Sequence, residues 1–312
     1  MTDTLIVTPQ RRVATTKVPM GLFVEAHAVE MNAAVKAFDS MPLGVRRTVY
    51  RNLLDEFGAL RPQFGLGANR TRMTVLQRPS DVKKNNVKIG KNGLDTLSLT
   101  TSSSGECKVF HDGRWLVLNT CAWAGLCGPL CVLSHGRGKF STVRAARSWR
   151  TYCLFVDPVA FAMVLRHEIL SADKGVDFLA RFNVNSNLPW ELVDALFDGV
   201  RMFAYDYSKD PTVLDGDGWL LPNYRVVYSW SERSDPTAVG SFLRRGGAVA
   251  MVTNRVKGAD VRESVMVDGD LFPMVDGDLS DDRFTTPRGV VVDLYAKGAA
   301  VKRTTRFVQQ LY

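Results

Sequence analysis

Tyr224-Arg-Val-Val-Tyr-Ser-Trp-Ser-Glu-Arg-Ser-Asp-Pro-Thr-Ala-Val-Gly-Ser-Phe-Leu-Arg-Arg-Gly-Gly-Ala-Val-Ala-Met-Val-Thr-Asn254 is the stretch that decides the fold. Its first apolar run, Tyr224–Tyr228, reads as a strand and is followed by the polar Ser229, Ser231 and Glu232. Pro236, preceded by Asp235, marks a helix start, because the first helical turn leaves its N–H groups unpaired and proline lacks one. That helix runs to Arg245, and a second apolar run, Ala248–Val252, ends at Thr253 and Asn254. Strand, helix, strand is the repeating unit of a parallel sheet.

The same alternation extends outward. Thr96–Thr100, Trp115–Leu118, Ala180–Val184, Val200–Tyr205 and Val290–Leu294 read as further strands. Ser141–Thr151, Pro158–Leu170 and Pro189–Phe197 read as helices. Polar side chains recur at one end of successive strands: Asn183, Asn185, Ser186 and Asn187, then Asp206, Tyr207, Ser208 and Lys209. In β/α barrels the site is built from the C-terminal strand ends and the loops after them. The expected fold is therefore α/β, a partial parallel β/α barrel over 95–312, carrying a basic, mostly helical N-terminal extension over 1–94.

Within the extension, Val24, Ala28, Met31, Val35 and Phe38 recur at helical spacing, and Val45–Phe57 forms a second amphipathic stretch after the Met41-Pro-Leu-Gly44 turn. A connector from Arg61 to Asn92 follows, with Arg70, Arg72, Arg78, Lys83, Lys84, Lys88 and Lys91 and a short strand expected at Met73–Gln77. Residues 1–94 hold 15 Lys and Arg against 7 Asp and Glu, whereas 95–312 hold 25 of each. All the positive excess thus lies in the first third, which points to nucleic-acid contact there. No apolar run approaches a membrane span, and Met1–Arg12 lacks the order of a signal peptide, so a soluble, cytoplasmic protein is expected. Five cysteines in a reducing compartment favour metal over disulfide.

Three of them stand together in Asn119-Thr-Cys-Ala-Trp-Ala-Gly-Leu-Cys-Gly-Pro-Leu-Cys-Val132, a C-x5-C-x3-C spacing. Grouped thiolates are characteristic metal ligands, and Gly125, Gly128 and Pro129 suit a loop that wraps a bulky group. Two metal readings stay open. One is a [4Fe–4S] cluster on Cys121, Cys127 and Cys131 with one open iron; the other is zinc on those three and His135. Cys107 and Cys153 stand apart and read as ordinary thiols.

Asn187 suits the N-cap of the helix expected at Pro189, whereas Asn183 and Asn185 point from a strand end toward a small polar ligand. Tyr205-Asp-Tyr-Ser-Lys209 offers Lys209 as a phosphate ligand or proton donor, with Asp206 to orient it, and Tyr228-Ser-Trp-Ser-Glu232 repeats the theme. Val267-Asp-Gly-Asp270 and Val275-Asp-Gly-Asp278 read as turns, the second running on through Asp281, Asp282 and Arg283 toward the site. A phosphate-cradling glycine loop, a nucleophile elbow and an H-E-x-x-H helix are all missing from the sequence.

Six ordered strings carry a resemblance: Cys121/Cys127/Cys131, Asn185–Glu191, Tyr205–Lys209, Tyr228–Glu232, Asp276–Asp278 and Ala296–Gly298. Over about 95–308 the chain resembles a bacteriophage family of the gene product eighty-eight type, itself similar to radical-SAM proteins. The cysteine loop is wider than the usual C-x3-C-x2-C. The resemblance implies a [4Fe–4S] cluster on Cys121, Cys127 and Cys131 and S-adenosylmethionine held near Asn183, Asn185, Ser186 and Ser229. Asp206, Lys209 and Glu232 are the catalytic candidates. It implies an isomerase of DNA hypermodification that rearranges an amino-acid-substituted thymine, moving a glycyl group from nitrogen to carbon attachment and protecting viral DNA from host restriction. Its partners would be DNA and a reductant, in the host cytoplasm. The contrasting expectation is a nucleic-acid-binding module with a structural Cys3His zinc and no turnover.

Overall fold

The structure is a computed structural model that describes residues 15–67, 74–78, 94–131, 136–216, 220–297 and 306–312. Seven strands run parallel in one sheet: β2 (Thr96–Ser98), β5 (Phe178–Arg181), β6 (Met202–Ser208), β8 (Tyr224–Ser229), β9 (Val249–Thr253), β11 (Asp270–Asp276) and β12 (Val291–Tyr295). From β2 the order is β5, β6, β8, β9, β12, β11, and β10 (Ser264–Val267) closes the row antiparallel to β11. A short β7 (Leu220–Leu221) lies antiparallel on β8. The quoted β–α–β unit is thus as expected: β8 and β9 pair in parallel, joined by the helix Pro236–Arg244, whose Asp235 caps Thr237 N–H.

The first five strands step sideways one place each, as in a barrel, but the sheet does not close. The last step reverses: β12 inserts between β9 and β11, so β11 with its hairpin partner β10 becomes the far edge. That hairpin turns on Asp268 (φ 50°) and Gly269 (φ 84°), the left-handed pair a two-residue Asp-Gly turn requires. At the opposite edge, Gln77 bridges Ser98 of β2. This bridge stands where a strand at Met73–Gln77 was expected; Met73 lies outside the described residues. The run expected at Trp115–Leu118 is in a different sheet, where β4 (Arg114–Asn119) pairs with β1 (Thr15–Pro19) in parallel and with β3 (Cys107–His111) antiparallel.

The helix expected at Pro189–Phe197 is instead two 3-10 turns, Trp190–Leu192 and Asp194–Leu196, broken at Val193 (φ −107°, ψ 56°). Asn187 is therefore no helix cap; Pro189 precedes the first turn.

The N-terminal helices share the core of the rest of the chain. Met20, Val24, Met31 and Val35 of helix Met20–Ser40 belong to one apolar cluster with Phe161, Leu165, Phe182 and Trp190. Helix Leu43–Ala59 adds Phe57, whose carbonyl accepts from the Trp149 indole N–H at 2.8 Å. The positive excess of residues 1–94 is a surface property laid over an apolar face, so it marks no break in packing. The cations at Arg70, Arg72, Lys83, Lys84, Lys88 and Lys91 lie outside the described residues. Among the described residues no helix is long and apolar enough to cross a membrane.

Arg166, on helix Pro158–Ala172, locks these layers together. Its buried guanidinium donates to Asp39 from two nitrogens and to the carbonyls of Leu196 (3.1 Å) and Asp198 (2.8 Å). One side chain thus joins the first helix to the 3-10 segment. Arg166→Ala leaves two carbonyls without a donor and Asp39 with only Arg46, 3.9 Å away, and urea unfolding is expected to show a loss of about 3 kcal/mol, whereas a surface arginine such as Arg51 is expected to cost under about 0.5 kcal/mol.

Candidate functional site

Because the strands are parallel, the residues following β2, β5, β6, β8, β9 and β12 emerge at one edge of the sheet. A cavity of about 420 Å³ opens there. Cys121, Cys127 and Cys131 line it together with Asn183, Asn185, Ser186, Ser229 and Lys209. Eight of the ten site residues singled out in the sequence therefore meet in one place; Asp206 and Glu232 stand behind the wall.

The cysteine loop is built by short-range bonds. Asn119 Oδ1 accepts from Cys121 N–H at 3.2 Å, and a 3-10 turn, Gly125–Leu130, carries Cys127 and delivers Cys131 as its cap. Glu232 fastens this turn from across the cavity edge: its Oε1 accepts from Leu126 N–H at 2.9 Å. Gly125 has φ 49°, a left-handed conformation that strains any side chain, and a Cβ there would also press on the Glu232 carboxylate. Glu232 thus holds the loop, which differs from the catalytic place expected for it.

Asn187 contacts the loop directly. Cys121 Sγ donates to its Oδ1 at 2.9 Å, and its backbone N–H donates to Thr120 O at 2.8 Å. Burial pushes the Cys121 thiol up to about 11; Lys209 works against this, and Cys127 and Cys131 add to it. The thiol is therefore protonated at neutral pH until a cation displaces the proton.

Asp206 is fully buried and does not reach Lys209 or the cavity wall. It accepts from Asn183 N–H at 2.6 Å and from Tyr224 O–H at 2.6 Å. Asn183 in turn uses its amide on the loop, giving Nδ2 to Leu188 O (2.8 Å) and receiving Ser186 O–H (2.7 Å) and Leu188 N–H (2.9 Å) at Oδ1. Asp206, Asn183 and Ser186 thus shape the segment that presents Asn185 and Asn187. Asn185 Nδ2 donates to Thr101 O at 2.6 Å, while its Oδ1 is buried with no partner.

Among the described residues the cavity has one carboxylate in its lining, Asp281, and this is paired with Arg181 at 2.6 Å. Arg181 also lies over the Tyr207 ring, 5.0 Å from its centroid, and Arg283 Nε donates to the Tyr207 hydroxyl at 2.5 Å. The Asp281–Arg283 string therefore reaches the site as expected. Lys209 and Lys297 add positive charge; Lys209 Nζ sits 5.8 Å from the Phe307 ring centroid, and Lys297 pairs with Asp278 at 2.8 Å. Phe307, from the C-terminal segment, packs on Leu130 and Cys127 and completes the wall. The sequence reading missed Arg181 and Phe307. Arg181 ends β5 and was open to the strand-end rule, whereas nothing local in the sequence places the C-terminal tail beside β9.

Among the described residues no group of three His, Cys, Asp or Glu is gathered to hold one metal ion. The three cysteines share a wall of the cavity, and His135 lies outside the described residues. No cysteine is in a disulfide; Cys107 and Cys153 are buried.

The family model described as gene product 88 matches residues 75–311, and the chain belongs to that family. No curated protein and no solved structure matches.

Burial raises the Asp206 carboxyl from 3.8 to about 7, outweighing the hydrogen bonds from Tyr224 and Asn183 that favour its charged form. The folded state thus holds a proton here that the unfolded chain has lost, so this contribution to stability is full below about pH 4 and fades as pH rises toward 7. Asp206→Asn is expected to flatten thermal stability against pH over that window. Glu168 and Glu191, raised to about 7 by burial, keep part of the slope. An unchanged slope would place the Asp206 proton elsewhere.

Proposed function

We propose that this chain is an iron–sulfur, radical-SAM-like enzyme of DNA base hypermodification, an isomerase that rearranges an amino-acid-substituted thymine in viral DNA and so shields it from host restriction. The observation that carries the reading is the gathering of Cys121, Cys127 and Cys131 on one cavity at the C-terminal ends of parallel strands. The donor set fits a cluster. Its thiols are soft ligands, and the lone carboxylate of the lining is occupied by Arg181. Three thiols leave one iron of such a cluster open for a ligand.

When bound, such a cluster supplies one-electron reduction of S-adenosylmethionine and hence a radical able to abstract hydrogen. The chain's own residues do the rest. Asn187 and Lys209 flank Cys121, the first accepting its proton in a hydrogen bond and the second favouring the thiolate. Lys209 and Lys297 bring positive charge to anionic groups of a ligand, and Asn185 and Ser229 offer polar contacts. Phe307 and the cysteine loop form part of the cavity wall and give it an apolar face. The rearrangement breaks a carbon–nitrogen bond and forms a carbon–carbon bond in the same molecule, so it consumes no external oxidant. A base stacked in duplex DNA cannot enter a cavity at the strand ends, so the target nucleotide must be flipped out.

Protein reconstituted with iron and sulfide without oxygen is expected to cleave S-adenosylmethionine to 5′-deoxyadenosine under a strong reductant, measured by chromatography. Cys121→Ala is expected to abolish cleavage, and Lys209→Ala to slow it about tenfold or more at constant iron content. Cleavage that survives Cys121→Ala would remove the basis of the reading.

A further inference from the structure

A second cavity, of about 720 Å³, opens at the opposite end of the strands, beside Asp95 and Leu97 at the start of β2 and Phe178 at the start of β5. Two aromatic rings form part of its wall. Tyr50 stacks on His167 with centroids 4.0 Å apart and planes 24° apart, and Phe38 meets His167 edge-on at 6.2 Å. The Tyr50 hydroxyl is fixed by donation to Glu168 Oε1 at 3.1 Å. Glu168 also accepts from Val75 N–H (3.0 Å) and Leu76 N–H (2.6 Å), so this acid is fully engaged in holding the wall.

Cations stand at the rim, and the one further carboxylate of the lining among the described residues, Asp95, has a partner of its own. Arg78 and Lys174 line the cavity and are exposed, and Arg46 and Arg47 approach closely enough to act on His167. Arg47, Arg78 and Lys174 make no ion pair among the described residues. Burial, then Arg46 and Arg47, hold the His167 imidazole below its ordinary range, so at neutral pH it presents an uncharged ring. Arg51 is exposed one turn beyond Arg47 on the same helix, and the acidic Asp55 and Glu56 follow a turn later. Aromatic faces beside a cationic track are what a single strand of nucleic acid requires: a base for the rings and phosphates for the cations.

We propose that this cavity is a nucleic-acid anchor separate from the cysteine site, taking an unstacked base against the Tyr50–His167 pair and backbone phosphates on Arg47, Arg78 and Lys174. The anchor deepens the DNA reading above by naming where a strand is held. It needs no cluster, because it stands at the other end of the sheet.

The test is fluorescence anisotropy of a labelled single strand of about twelve thymidylates, with full-length protein carrying no iron. Wild type is expected to bind with an affinity that falls as salt rises. His167→Ala is expected to weaken binding about tenfold with little change in the salt slope, and His167→Phe, which keeps a ring, to restore it. Arg47→Glu with Lys174→Glu is expected to weaken binding further and reduce the salt slope by about two. Equal affinity in wild type and the folded variants, or binding of duplex only, would overturn the anchor. A chain that binds the strand yet takes up no iron keeps the anchor and loses the cluster; one that takes up iron and ignores the strand does the reverse.

Discussion

The buried carboxylate of Asp206 governs the geometry of the cysteine site. It sits within β6 with no exposure to solvent and draws in Asn183 N–H and Tyr224 O–H, each at 2.6 Å. Asn183, so fixed, folds the chain back on itself through Leu188 and Ser186. The fold-back aims Asn187 at Cys121 and leaves Asn185 on the cavity. A charged or neutral acid buried without partners would cost several kcal/mol, so the loop and the carboxylate stabilise each other. Asp206 acts through the residues it positions, and touching a ligand is left to those residues.

Around that centre, distant segments close on the three thiols. Glu232, from the loop after β8, fastens the 3-10 turn that bears Cys127. The C-terminal tail runs beside β9 through Gln309 N–H to Val252 O at 2.8 Å, and Asn254 Oδ1 accepts from Leu311 and Tyr312 N–H at 2.9 Å. Tyr312 O–H reaches Asp293 at 2.6 Å. This tethering seats Phe307 on the cysteine loop. Separate parts of a long chain thus converge on a small volume, as expected when parallel strands deliver all their following loops to one edge.

Much of this was legible before the structure. The β–α–β unit at 224–254 announced itself through alternating apolar runs and Asp-Pro helix starts, which are local signals. The Asp268-Gly269 hairpin was equally local. Sheet closure was not legible, because whether β12 lies inside or outside β11 depends on contacts far apart in sequence. The stretch Pro189–Phe197 carried a helix start and still broke into two 3-10 turns; the backbone before it is pinned at Thr120 and Asn183. Asp206 and Glu232 were recognised as important residues, but sequence shows a carboxylate near a site and not which way it points. The charge asymmetry of the first third describes the surface, while Met20, Val24 and Met31 beneath it belong to the common core.

Element analysis on protein purified without oxygen tests the central claim most directly, namely that Cys121, Cys127 and Cys131 form one ligand set. The account predicts about four iron and four sulfide per chain, with a brown absorption envelope, lost in Cys121→Ala while the fold is kept. One zinc and no iron would contradict the cluster, and neither metal after reconstitution would contradict the ligand set itself.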